Sequence, residues 1–198
     1  RYTGGDANYT AALTVMLSVM QIIGLPLAGM GTGAQPLISY NYGAGNFDRV
    51  KKTVKLVFFT ALGICFSVWI LCLTCPQIFA KMFSATPEVT AVIKKFMPVF
   101  MMGTIFFCSQ FGLQNAFLAL GQAKISLTLA VLRKIILLIP LTFVFPLFMG
   151  VNGVFWAEGV ADITAGIITT LTFFLSFKKI LRLRAEVLEK EKNSSILT

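Results

Sequence analysis

Between Leu56 and Cys75 the chain carries no charged residue. A helix needs roughly 20 apolar residues to cross about 30 Å of hydrocarbon. Four more stretches are apolar over comparable lengths: one within 9–40, and others over about 96–120, 126–149 and 153–177. A water-soluble fold of 198 residues has no use for five such runs. In a bilayer the backbone has to satisfy its own hydrogen bonds, and an α-helix does so within a single segment. The expectation is an all-α membrane protein. A bundle of about five transmembrane helices forms a helical lobe over 1–177, and a polar cytoplasmic tail follows over 178–198.

Charged residues make up 13% of the chain, about half the share usual in soluble domains. The net charge of +9 raises the question of nucleic acid. That partner is set aside, because the basic residues sit at span ends, where they fix orientation. Arg49, Lys51, Lys52 and Lys55 follow the turn Asn41 to Asn46, which reads NYGAGN. Lys124 lies between the third and fourth spans, and Lys178, Lys179, Arg182 and Arg184 open the tail. The opposite side holds Arg1, Lys81, Lys94 and Lys95. The heavier side is expected to be cytoplasmic, so the first span runs inward and the tail lies inside. The chain opens without an initiator Met on a polar stretch, Arg1 to Asp6, which reads as a loop between spans and suggests a piece of a longer protein.

The first apolar segment is longer than a bilayer needs and contains Gly24, Pro26, Gly29, Gly31, Gly33 and Pro36. A bent or interrupted helix is expected there. Gly29 and Gly33 have the GxxxG spacing that permits close helix contact. Residues 76–89, with Phe79, Met82 and Phe83, read as an outer connection lying on the membrane surface. In the tail, Leu183, Val187 and Leu188 allow a short amphipathic helix. Cys72 and Cys75 have CxxC spacing but lie at the end of an apolar span, so they read as packing residues rather than a redox pair. With no His, no nucleophile elbow and no phosphate loop, the sequence offers no catalytic residues, no metal site and no cofactor site.

The informative residues are the polar ones inside the spans. Glu158 and Asp162 lie four apart on one face of the fifth span. A carboxylate in hydrocarbon is costly unless paired, hydrated or protonated. Such a pair is the chemistry of a proton or sodium site, since it can take up H+ or offer oxygens to a cation. Asp162 is nearer mid-depth, while Glu158 is close enough to the outer interface to reach it. The structural alternative pairs Asp162 with Arg133 on the fourth span. Lys134 reads as snorkelling to the interface. Gln110, Gln114 and Asn115 on the third span, and Gln21 and Gln35 on the first, either bond across helices or line a wet path. Together with Arg133 they are the candidate cavity-lining residues. Eight Met and nineteen Phe could supply an adaptable apolar pocket, although lipid-facing packing accounts for most of them.

Several segments taken together resemble the MATE family, the multidrug and toxic compound extrusion transporters. Gly33 to Asn46 reads GAQPLISYNYGAGN and is followed by Asp48-Arg49-Val50-Lys51. Phe83 to Val89 (FSATPEV), Ala119 to Lys124 (ALGQAK), Leu132-Arg133, Ile139-Pro140, Gly153-Val154 and Ala161-Asp162 follow in the family's order and spacing. The resemblance covers nearly the whole chain and is nearest to MepA-like and DinF-like bacterial members. It implies two six-helix lobes, of which this chain matches most of the C-terminal one. It also implies export of drugs driven by inward H+ or Na+, through a central cavity between lobes. Many members place an essential coupling carboxylate on their first span, which is not in this chain. Others use an acid on the span matching 96–120, where this chain has only Gln110, Gln114 and Asn115 as candidates.

The leading expectation is therefore the C-terminal lobe of a cation-coupled multidrug efflux antiporter in a bacterial inner membrane. Its partners would be the lipid bilayer, the missing N-terminal lobe and small amphipathic, often cationic drugs. A lipid-linked sugar flippase of the same superfamily, or a non-transporting accessory subunit, would be the alternative.

Overall fold

The computed structural model describes residues 7–196. The polar opening stretch, with the Arg1 counted on the outer side, and the last two residues of the tail lie outside the described residues. The remainder is helical in the order α1 (Ala7–Gly43), α2 (Phe47–Thr74), α3 (Pro76–Met82) and α4 (Pro87–Phe100), then a 3-10 turn (Met101–Gly103) and α5 (Thr104–Ala119). It continues through α6 (Ala123–Val131), a π-helical turn (Leu132–Leu138), α7 (Ile139–Met149) and α8 (Asn152–Ile196). Five stretches are long and apolar enough to cross a membrane: Ala7–Gly43, Phe47–Thr74, Pro87–Ala119, Ala123–Met149 and Asn152–Ser194. The chain is a multi-pass membrane protein.

Four turns reverse the chain between these stretches. Three of them use glycine at positive φ: Gly45 (φ 75°) between α1 and α2, Gly121 (φ 74°) in the link to α6 and Gly150 (φ 58°) between α7 and α8. A Cβ is disfavoured at such angles, which glycine avoids. α5 is the central helix and packs against α1, α2, α6 and α8. Its neighbours come close because small residues sit at the crossings, as expected where helices associate by packing in an apolar solvent. A Cβ on Gly103 would run into Asp162 and the Gly159 carbonyl, and one on Gly166 into Phe106.

Two apolar cores stand at opposite ends of the bundle. One gathers Met16, Val19, Ile93, Met97, Phe100 and Phe155, with Phe96 stacked on Phe155 at 4.6 Å between ring centroids. The other gathers Ile38, Val50, Leu113, Phe117, Phe173, Ile180 and Leu181. Outside them, large side chains such as Phe143, Leu147, Phe148 and Leu175 point away from the bundle. In water that exposure would be costly, whereas in lipid it is neutral.

Three features differ from what the sequence suggests. α1 is long, as expected, but it is not interrupted: it runs as one helix across Pro26 and Pro36. The third span starts at Pro87 rather than near Phe96, because Thr86 caps it by accepting a hydrogen bond from the Val89 amide, and Val89 and Ile93 are buried. The break in that span comes after Pro98, as the 3-10 turn. Residues 178–196 are no separate tail: α8 runs on, with Ile180 and Leu181 buried in the second core. Arg184 donates to the Gly43 carbonyl, and Leu188 lies against Gly45, so this extension docks on the α1–α2 turn. Leu183 and Val187, which the pattern placed on an apolar face, are exposed.

Candidate functional site

The fourth and fifth spans bring opposite charges to the same level. Arg133 lies about ten residues into its span from one side, and Asp162 about ten into α8 from the other. At 1.5 Å per residue both sit about 15 Å deep, near the middle of the hydrocarbon. There Arg133 Nε donates to Asp162 Oδ1 at 2.6 Å, and the guanidinium Nη2 also contacts Asp162. Arg133 Nη2 reaches Glu158 Oε1 at 3.5 Å. The guanidinium carbon lies 4.6 Å from the centre of the Phe107 ring, on α5, which adds a cation–π contact. Arg133 belongs to the π-helical turn, whose wider winding shifts the register of side chains relative to a regular α-helix.

The arrangement sets two carboxylates against one guanidinium. The Asp162 side chain is 1% exposed and that of Glu158 12% exposed. Buried Oδ2 of Asp162 has no hydrogen-bond partner among the described residues. A buried carboxylate oxygen without a donor is uncommon. Chemically, such an oxygen can take a proton or face a monovalent cation. Lys134 is next to Arg133 but exposed.

Arg133, Lys134 and Glu158 line a cleft, and Asp162 is buried behind them. α1 and the fourth span stand apart, both resting on α5, and the space between them is open. One part, of about 580 Å³, is lined by Met20, Gln21, Phe107, Phe111, Arg133, Lys134 and Glu158 among others. An adjoining part, of about 310 Å³, is lined by Thr32, Gln110, Phe111, Gln114, Asn115, Ser126, Arg133 and Lys134 among others. Phe111, Arg133, Lys134 and Ala28 border both parts, so they form one cleft.

The candidate residues are not equivalent within it. Gln21 is exposed to the cleft. Gln35 lines neither part: its Nε2 donates to Asn115 Oδ1 at 2.8 Å and ties α1 to α5. Asn115 donates back to the Phe111 carbonyl of its own helix at 2.6 Å. Gln114 donates to the Ser126 carbonyl at 2.8 Å across the α5–α6 link. Gln110 donates to Thr169 Oγ1 at 3.1 Å, in contact with α8. The third-span amides therefore serve as interhelical ties while also bordering the cleft. Sequence reading passed over Phe107, Phe111, Ser126 and Thr169. Thr169 carried a signal: it lies seven residues after Asp162, on the same helical face, with Gly159 and Gly166 repeating at the same interval. Phe107 and Phe111 carried none, being two among nineteen Phe.

Three comparisons bear on this site. The MatE family model matches residues 3–144. The chain is 26% identical over 160 residues to the Multidrug export protein MepA of Staphylococcus haemolyticus, covering 78% of this chain and 34% of that protein. It is 23% identical over 189 residues to the protein of the same name from Staphylococcus saprophyticus, covering 95% of this chain and 42% of the relative. Among solved structures, the MATE multidrug transporter DinF-BH superposes with a TM-score of 0.76 at 29% identity, over 86% of this chain and 38% of that one. The chain thus spans well under half the length of these relatives.

Proposed function

We propose, since this chain belongs to the MatE family, that it forms the C-terminal lobe of a multidrug efflux transporter and supplies one wall of the substrate cavity. The observation that carries this reading is the polar cleft at mid-depth of an otherwise apolar bundle. It combines Phe107, Phe111 and Met20 with amides and a charged cluster. An apolar wall with a few placed polar groups suits amphipathic molecules of drug size. The cleft is open along its length between α1 and the fourth span, as a face completed by a second lobe would be.

Coupling to H+ or Na+ is part of the proposal, with Asp162 and Glu158 as the groups that would exchange the ion. The unpartnered Oδ2 of Asp162 supports that role. Arg133 then offsets one of the two carboxylate charges while the ion is away, and the bound ion offsets the other. The flippase alternative wants a cavity rich in free cations. Arg133 is already engaged by two carboxylates, and Lys134 alone does not make the cleft rich in free cations. We further propose that the membrane is the bacterial inner membrane, with the α8 extension on the cytoplasmic side.

The test compares the chain with the longer reading frame that would contain it, in cells stripped of their own drug pumps. The longer protein is expected to lower accumulation of a cationic dye, and an uncoupler or a sodium ionophore should abolish the effect. The chain alone is expected to behave as the empty vector. Dye efflux by the chain alone would overturn the lobe assignment. Uncoupler- and ionophore-resistant efflux by the longer protein would overturn the ion coupling.

A further inference from the structure

On the side of α5 turned away from the cleft, α2 and α8 leave a second groove. Its walls are Phe59 on α2 and Phe173, Phe174 and Phe177 on α8, and Lys51 and Lys55 stand at one end. The groove encloses about 290 Å³, room for an extended chain rather than for a helix about 10 Å across. The two lysines are one helical turn apart on α2, close to where that helix leaves the membrane. The Lys55 ammonium lies 5.9 Å from the Phe59 ring centre and has no acidic partner among the described residues. Lys51 is shared with Asp48 at 3.2 Å, but both side chains are largely exposed, so water screens the pair. Lys178 and Lys179 follow Phe177 directly and are exposed as well.

From these features we infer that the groove between α2 and α8 is a binding site for one anionic phospholipid. The acyl chain lies along the phenylalanine walls, and the phosphate-bearing headgroup sits at Lys51 and Lys55. The charge pattern selects this occupant. A zwitterionic lipid gains little from two ammonium groups, whereas basic residues at a membrane surface favour anionic headgroups by about fivefold each. The long lysine stems allow the charges to meet the headgroup while the aromatic walls remain in hydrocarbon.

The site can be read by fluorescence. In a Trp69→Phe/Trp156→Phe background, Phe174→Trp places a single reporter on the groove wall, at an exposed position that tolerates the change. The chain is reconstituted in phosphatidylcholine vesicles doped with brominated phosphatidylglycerol or brominated phosphatidylcholine. Quenching by the brominated phosphatidylglycerol is expected to be at least about fivefold stronger per mole fraction, and Lys51→Ala/Lys55→Ala should erase the preference. Equal quenching by the two lipids would overturn the site and leave ordinary lipid contact. Absence of quenching by either would overturn it too, showing that protein covers the groove. Native mass spectrometry of the unsubstituted chain gives an independent reading: retention of phosphatidylglycerol over phosphatidylcholine is expected, and equal retention would also overturn the proposal.

Discussion

Arg133 serves two carboxylates, and this makes the three residues unequal under mutation. Asp162→Asn removes one charge and leaves Arg133 its contact with Glu158. Arg133→Gln leaves both acids without a counter-charge at mid-depth. Removing one partner of a buried pair costs about 3–5 kcal/mol. Arg133→Gln should therefore lose about that much stability, Asp162→Asn roughly half of it, and Glu158→Gln least, because Glu158 borders the open cleft. The double substitution Arg133→Gln/Asp162→Asn should recover much of the loss, since the remaining Glu158 reaches the cleft. Thermal unfolding midpoints in detergent check the order; an Asp162→Asn variant less stable than Arg133→Gln would contradict it. The pair itself was legible in the sequence, because opposite charges on neighbouring spans fall at matching depths and hydrocarbon forces them together. The unpartnered oxygen of Asp162 was not, since it depends on how the π-helical turn aims one guanidinium.

Among the elements, α1 shows how far a motif goes. Gly29 and Gly33 carry the GxxxG spacing, yet a Cβ on either would meet nothing within 4 Å. The close approach is at Gly31, where a Cβ would strike Asn115 and the Phe111 carbonyl on α5. Gly31→Leu should push α1 off α5, strain the Gln35–Asn115 bond and cost about 1–3 kcal/mol or more. Gly29→Leu and Gly33→Leu in the same chain should be near neutral. Limited proteolysis together with unfolding midpoints distinguishes them, and equal loss at all three sites would refute the packing. The motif misleads because spacing fixes a helical face but not which face meets a neighbour. The five spans were readable since freedom from charge is a property of each segment alone. The early start at Pro87 was hidden by Glu88, Lys94 and Lys95, which look like loop residues although all three are exposed on a helix. The π-helical turn left no mark in composition.

At the scale of the whole molecule, the α1–α2 turn, the α5–α6 link and the extension of α8 share one end of the bundle. The starts of α4 and α8 share the other. Single cysteines at Lys52 and Lys124, in a cysteine-free background, should react with an impermeant thiol reagent only from the cytoplasm, and one at Glu88 only from outside. Labelling of Lys52 from outside would reverse the orientation. Which loops share an end was legible in the alternation of the five spans, but the docking of the extension was not, because Ile180 and Leu181 join a core with Ile38 and Val50, far away in the chain. The extension also has a mechanical meaning. α8 is one helix of 45 residues, about 67 Å long, more than twice the thickness of the hydrocarbon. The tip lies about 51 Å beyond Asp162 along the helix, so a rigid rotation of the bundle by about 11° about that level would carry it through about 10 Å. A movement of little reach at the level of Asp162 thus becomes, at the far end of the same rod, a displacement as wide as a helix, and whatever lies against that end is geared to the tilt of the membrane-embedded part.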